Sequence, residues 1–366
     1  MDVISSTISI DPILPIRGIL YIGQYGTSGY ASAARGYLYH YFINGLSITW
    51  DPLYFDNSKL DDSDLYDVVI KSLINRRIEQ HDMVIMHSTP DLWPKFWKEK
   101  YSLLQNKIVN GYCTWETSKL PIEWVSSINN CVNEVWCPSK YNEKVFKDSG
   151  VTVPVRVVPH IFLPQILPPK ENIRIVDELT GNLVEDNGLY TFYSIGECNT
   201  RKGIDDTIKV FCESFNKHNK VRLILKIHYR DYSTNNKQKC KEYVNNILKN
   251  YPNHAKVICL FNNLSNKEIL ALHSIGDCYI SLTKAEGFGL TIFDAFNYGK
   301  KIICTGYSGM LDYLGENYSG LVKYKLGNVA GMETFSSNYS VDSQWAYPNL
   351  NHAIELMMNA YYDKNI

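Results

Sequence analysis

The sequence predicts an α/β protein made of two doubly wound, Rossmann-like domains in tandem, and three observations carry that reading. Short apolar runs of strand length alternate with segments of helical period. A polar, proline-bearing passage from about Pro164 to Gly188 interrupts the alternation, which then resumes. Unusual polar and glycine residues gather just past the ends of the apolar runs. At 366 residues and 45% apolar content, the chain exceeds one ordinary core and suits two domains of roughly 170 residues each. The expected boundaries are a first domain over 1–165, a linker over 166–184 and a second domain over 185–344. A C-terminal helix over 345–366 is expected to pack back on the first domain.

In the first domain GILYIGQY (18–25), LSITW (46–50), DMVIMHS (82–88), NKIVNGY (106–112), EVWCPS (134–139) and VRVVPH (155–160) read as buried parallel strands. The glycine-flanked turn Gly26–Gly29 leads into a helix on which Tyr30, Ala33, Ala34, Tyr37, Leu38 and Tyr41 mark one apolar face. LDDSDL (60–65) contains an Asp-x-Asp that could bind a metal, but it precedes a helical segment, and helix capping is the preferred reading. In the second domain the strands are YTFYSIG (190–196), VRLILKIHY (221–229), AKVICLFN (255–262), DCYISLT (277–283) and KIICTG (301–306). Asp205 and Asp206 open a helix and complement its dipole. EGFGLTIFD (286–294) opens another, with Ile292, Phe293 and Phe296 on its apolar side and Gly299 ending it. The last segment, NLNHAIELMMNAYYDK (349–364), places Ala353, Leu356, Met357 and Ala360 at helical spacing.

Composition narrows the function classes. A net charge of −1 offers no basic field for nucleic acid. No apolar run reaches the length of about 18 residues that a transmembrane helix needs, and MDVISSTISIDPILPIRG lacks the basic-then-apolar order of a signal peptide. The expectation is a soluble protein, cytoplasmic or otherwise intracellular. Nine cysteines fall singly, mostly inside apolar strands, with no CxxC pair; they read as buried thiols in a reducing compartment. Sequons at Asn263, Asn317 and Asn338 are then chance products of an Asn-rich sequence.

The residues that suggest chemistry are Gly26 and Gly29, His87, Glu116, His160, Arg201 with Lys202, and Glu286, each just beyond the carboxyl end of an expected strand. Open α/β sheets bind ligands at those ends, so two such domains facing one another would bring these positions to one interdomain cleft. The loop from Glu286 aims backbone amides and a helix N-terminus at an anion while its carboxylates grip hydroxyls, which suits a sugar attached to phosphate. Gly287 and Gly289 let a ligand oxygen approach the backbone. Taken one at a time the residues have simpler explanations. Gly26–Gly29 lacks G-x-G-x-x-G spacing, Arg201 and Lys202 also fit a surface turn, and His87, Glu116 and His160 each fit a packing or anchoring role.

The stretch from Glu286 to Asp294 followed by KKIICTGYSGMLDYL resembles the donor-binding signature of the retaining glycosyltransferases of family 4, glycosyltransferases group 1, which have the GT-B fold. FYSIGECNTRKGIDDTIKVF resembles that family's strand, Arg-Lys pair and Gly-opened helix; EVWCPSKYNEKVFKDSGV and VRVVPH resemble the end of its first domain. One departure is Asp294, where the family's motif usually closes on Glu.

The resemblance implies a hexosyltransferase-type enzyme that moves a sugar from a nucleotide-diphosphate sugar to an acceptor with retention of configuration. It implies that Arg201 and Lys202 clasp the diphosphate, Glu286 holds sugar hydroxyls, Asp294 holds the ribose, and Phe288, Gly289 and Leu290 line the donor, with amides from the last two. Gly26 and Gly29 belong to the donor-side glycine loop, and His87 lies beside the donor sugar. Glu116 and His160 are expected near the acceptor or the cleft. No metal and no cofactor are expected, because the two cations and the helix N-terminus supply the charge compensation. The acceptor is a glycan, protein, lipid or small molecule. Two alternatives share the fold: a nucleotide-sugar epimerase, and a non-catalytic carbohydrate- or nucleotide-sugar-binding relative. A phosphorylase would need a pyridoxal lysine, which no segment suggests.

Overall fold

A computed structural model describes residues 17–53, 64–74, 76, 80–184, 188–331 and 338–362. The N-terminal stretch up to Ile16 and positions 60–63 of the Asp-rich motif lie outside the described residues.

The first sheet contains β1 (Ile19–Gln24), β2 (Ile48–Leu53), β3 (Met83–His87), β4 (Ile108–Tyr112), β5 (Glu134–Cys137) and β6 (Val155–Val157), in the order β2-β1-β3-β4-β5-β6. The pairings of β1 with β2 and β3, and of β3 with β4, are parallel. Helices α1 (Gly29–Ile43), α2 (Leu65–Lys71), α3 (Trp93–Glu99), α4 (Tyr101–Leu104), α5 (Ile122–Cys131) and α6 (Lys140–Asp148) connect the strands. Helix α1 starts because Ser28, in an extended conformation, accepts a hydrogen bond from the Ala31 amide. It buries Ala33, Ala34, Tyr37, Leu38 and Tyr41, as the periodicity predicts. Asp64 caps α2, accepting from the amides of Tyr66 and Asp67. That acid of the LDDSDL motif is therefore a helix cap.

The second sheet is built from β9 (Tyr190–Glu197), β10 (Val221–His228), β11 (Lys256–Leu260), β12 (Cys278–Ser281), β13 (Lys301–Thr305) and β14 (Leu321–Val322), in the order β11-β10-β9-β12-β13-β14 with parallel pairings. It is wrapped by α7 (Ile204–Ser214), α8 (Thr234–Leu248), α9 (Asn266–Ile275), α10 (Leu290–Asn297) and α11 (Leu311–Leu314). Its strands bury near-continuous apolar runs, such as Leu223, Ile224, Leu225 and Ile227 of β10, the pattern of a parallel sheet covered on both faces. The antiparallel strands β15 (Tyr324–Asn328) and β16 (Gln344–Pro348) precede the last helix, α12 (Leu350–Tyr362).

Two segments differ from expectation. The stretch read as a linker carries a small hairpin, β7 (Ile175–Val176) with β8 (Leu183–Val184). Ile173 and Val184 pack in one core with Ile224 and Ile258, and buried Asp177 accepts from the Cys259 amide at 2.9 Å. Its prolines end regular structure without removing the apolar residues that seal this end of the sheet. The final helix, expected on the first domain, packs on α7 instead. Ala353, Leu356, Met357 and Ala360 join Ile208 and Phe211 in the second core, because that face matches the apolar side of α7.

By internal packing the chain divides into two compact units, Met1–Tyr112 with Asn130–Val135, and Cys113–Asn129 with Trp136–Ile366. All nine cysteines are buried, and none forms a disulfide. No described helix is long and apolar enough to cross a membrane.

Candidate functional site

The second unit gathers charged residues where β9 and β12 end. After β9 the chain forms a tight turn over Thr200–Lys202, in which the Asn199 side chain accepts from the Lys202 amide at 3.0 Å. Gly203 closes the turn at φ 60°, and a Cβ there would stand 2.2 Å from the Leu282 carbonyl oxygen. Only glycine permits this approach, and it brings Arg201 and Lys202 against the segment that follows β12. The Arg201 carbonyl accepts from the Lys284 amide at 2.7 Å, locking the two loops together.

Glu286 lies in that segment, buried, and both cations converge on it. Lys202 Nζ is 2.6 Å from Oε1, and Arg201 Nη1 is 3.3 Å from Oε2. The Thr283 hydroxyl donates to Oε1 at 3.0 Å, and the Glu286 amide donates to Ser308 Oγ at 3.1 Å. Burial pushes the Glu286 carboxyl up, but Lys202 and Arg201 outweigh it and hold the group below the ordinary glutamate range. It is therefore an ionised acceptor near neutral pH and not a proton donor.

Arg201 is almost wholly enclosed. Nη1 also donates to the Ala285 carbonyl at 2.7 Å, Nη2 is 3.4 Å from Glu116 Oε1, and buried Nε has no hydrogen-bond partner. Burial opposes the charge, yet Glu116 and Glu286 outweigh it and raise the pKa further above its ordinary value. Glu116 in turn accepts from the Tyr339 hydroxyl at 3.2 Å through Oε2. Two cations and two carboxylates thus share one locus, in which Arg201 and Glu286 are buried and Lys202 and Glu116 half-buried.

The glycine-rich loop continues from there. A Cβ on Gly287 would meet Thr114 Oγ1 at 1.9 Å, and its carbonyl accepts from Ser139 Oγ at 2.7 Å. Gly289, at φ 84°, stands at the N-cap of α10, where no side chain caps the helix. The Ile292 and Phe293 amides donate to the Gly289 carbonyl at 3.0 and 2.9 Å, and with no side chain capping the turn ahead of them this end favours an anion. Buried Phe288 packs against His160, ring centroids 4.8 Å apart, and burial pushes the His160 imidazole down to about 3. That ring is neutral near pH 7 and brings no charge. Asp294 lies half-buried one turn into α10, whose end Gly299 marks at φ 71°.

The first unit holds the other expected residues. Gly26 has φ 113°, a backbone that requires glycine, and Gly29 is the first residue of α1. His87 ends β3, buried, with Nδ1 hydrogen-bonded to the Tyr21 hydroxyl and its ring 4.4, 5.4 and 6.0 Å from those of Tyr112, Tyr30 and Tyr37. This setting fixes the ring firmly.

Sequence reasoning passed over Thr283, Ser308 and Tyr339. Ser308 adopts φ 76°, unusual for a residue with a side chain, and its place in the motif after β13 was the available signal. Tyr339 had none, since it reaches the locus from the chain entering β16. Among the described residues no group of three or more His, Cys, Asp or Glu could hold a metal.

Two parallel-sheet Rossmann-like domains with these loops at the carboxyl ends of the strands define the GT-B fold of glycosyltransferases. Residues 176–328 match the family model of glycosyl transferases group 1, and that span carries Arg201, Lys202, Glu286 and Asp294. Anabaena Alr3699/HepE, solved with UDP and glucose, superposes with a TM-score of 0.57 at 10% identity, covering 94% of this chain and 95% of that one. The sucrose-phosphate synthase of Thermosynechococcus elongatus gives a TM-score of 0.60 at 11% identity, covering 95% and 90%. At such identities the likeness is one of fold. Uncharacterized protein 356 of Sulfolobus islandicus rod-shaped virus 1 is 22% identical over 212 residues, 57% of this chain and about half (54%) of that protein's length.

Proposed function

We propose that the chain is a retaining, metal-independent glycosyltransferase that takes a sugar from a nucleotide-diphosphate donor. The observation that carries this reading is the convergence of Lys202 and Arg201 on Glu286 beside the uncapped N-terminus of α10. The group 1 match over 176–328 supports it.

As the glycosidic bond breaks, negative charge grows on the leaving phosphate. Arg201 and Lys202 oppose that charge, each charge-assisted contact contributing roughly 1.5–3 kcal/mol. Glu286, ionised and held by Thr283, accepts hydrogen bonds from sugar hydroxyls. The amides of Gly289 and Leu290 reach the distal phosphate or the sugar, Phe288 lines the donor, and Asp294 holds the ribose. On the first unit Gly26 and Gly29 serve the donor, and His87 bonds to a sugar hydroxyl. Glu116 and His160 serve the acceptor side or shape the site. Every carboxylate at the Arg201 locus is engaged with a cation, which favours a front-face reaction in which the leaving phosphate deprotonates the acceptor over a double displacement on Glu286.

The experiment is a thermal-shift screen of nucleotide sugars followed by transfer assays with the stabilising donor, in buffer and after dialysis against chelator. The proposal expects stabilisation by at least one nucleotide-diphosphate sugar, transfer that survives chelation, and its loss in Arg201→Ala and Lys202→Ala. Strict metal dependence would overturn the charge argument. Isomerised donor without acceptor would point to an epimerase.

A further inference from the structure

The chain leaving β15 is bonded to the turn that carries Arg201, and the chain entering β16 is bonded to the segment that follows Glu116. Thr200 Oγ1 donates to the Gly331 carbonyl at 2.5 Å on the side leaving β15. On the side entering β16, Lys119 pairs with Asp342 at 2.5 Å, the Ser118 amide donates to the Gln344 carbonyl at 3.1 Å, and the Gln344 amide donates to Ser118 Oγ at 2.8 Å. Between these clamps the Tyr339 ring stacks on Trp115, centroids 5.0 Å apart and planes 27° from parallel. Trp115 is itself fixed, its indole N–H donating to Thr117 Oγ1 at 2.9 Å and to the Lys119 carbonyl at 2.7 Å. The stack on Trp115 sets the Tyr339 hydroxyl against Glu116.

We infer that Tyr339 is a positioning residue for Arg201, acting through Glu116. The chain of contacts is direct: the Tyr339 hydroxyl donates to Glu116 Oε2, and Glu116 Oε1 faces Arg201 Nη2. Nη1 is held by the Ala285 carbonyl and Glu286, which leaves Nη2 to be fixed by Glu116. The Tyr339 bond fixes the Glu116 carboxylate facing Nη2, which otherwise turns freely about its last torsion. A guanidinium held in place before the donor arrives loses less freedom on binding, and the saving appears as affinity for the diphosphate. This inference rests on the proposed donor site, and one measurement is independent of it.

The test uses the full chain with arginine labelled by nitrogen-15. Tyr339→Phe keeps the stack on Trp115 and removes only the hydroxyl. It should move the Arg201 Nε–H resonance of the free protein and weaken binding of a nucleoside diphosphate, chosen from those of uridine, adenosine and guanosine, by roughly three- to tenfold, the equivalent of one net hydrogen bond. In a Glu116→Ala background the same change should move neither, because the side chain that links Tyr339 to Arg201 is gone. An unmoved resonance, or effects that simply add in the double variant, would overturn the inference whatever the donor. Failure of the unaltered protein to bind any of the three diphosphates would overturn the donor reading and with it the role of Tyr339 in binding, while the resonance alone would still decide whether Tyr339 holds Arg201.

Discussion

Glu286→Gln separates the two jobs assigned to this carboxylate. In the native locus two cations, Arg201 and Lys202, face two carboxylates, Glu286 and Glu116, so the local balance is 2 − 2 = 0; the substitution leaves 2 − 1 = +1. Removing one partner of a buried ion pair costs about 3–5 kcal/mol. The lower end applies, because Glu116 stays on Arg201 and the Lys202 side chain is 22% exposed, against 10% for Glu286 and for Arg201. A cost of about 3 kcal/mol lowers the melting temperature by roughly 6–12 °C for a cooperative unit of this size. A nucleoside diphosphate returns the missing negative charge. It should bind the variant more tightly than the native protein and recover about 2.7 kcal/mol at one hundred times its Kd. Transfer should nevertheless fall, since the sugar hydroxyls lose an ionised acceptor. Denaturation with and without nucleoside diphosphate measures both effects. A variant as stable as the native chain, with unchanged diphosphate affinity, would refute the reasoning.

Burial pushes His160 down to about 3 and His273, bonded to the Tyr193 hydroxyl, down to about 4, so the unfolded chain binds protons at these sites before the folded one does. Stability present at neutral pH should therefore fall as pH drops below about 6.5, by about 2 kcal/mol per histidine at pH 5; urea midpoints at pH 7 and 5 measure it, and a His160→Gln, His273→Gln double variant should show a flatter profile. Gly309→Ala places a Cβ 2.0 Å from the Gly287 carbonyl oxygen and should cost at least about 1–3 kcal/mol, where an unchanged melting temperature would contradict the packing described. Asp294→Glu should keep or improve nucleotide affinity while Asp294→Ala weakens it, and equal binding by all three in calorimetry would remove the ribose role.

Much of this was legible in the residues because parallel strands bury continuous apolar runs. The eleven runs read as strands correspond to β1–β6 and β9–β13, and the acidic loop opens α10 where its glycines indicate. The closeness of Arg201, Lys202 and Glu286 followed from strand ends lying side by side. What stayed hidden depends on contacts distant in sequence. Tyr339 meets Glu116 across more than two hundred positions, and no local period encodes such a pairing. The hairpin within 166–184 is short and leaves its apolar pair Val176 and Leu183 exposed, so single residues such as Ile173 and Val184 join this stretch to the core around Ile224 and Ile258. The last helix showed a clear apolar face, but a face does not name its partner, and the matching side of α7 decided it.

The most direct test is the structure of the chain bound to a nucleoside diphosphate. The account predicts phosphate oxygens about 3 Å from Lys202 Nζ and the Arg201 guanidinium, beside the first turn of α10. A diphosphate held elsewhere, with both side chains still engaged only by Glu286 and Glu116, would contradict it.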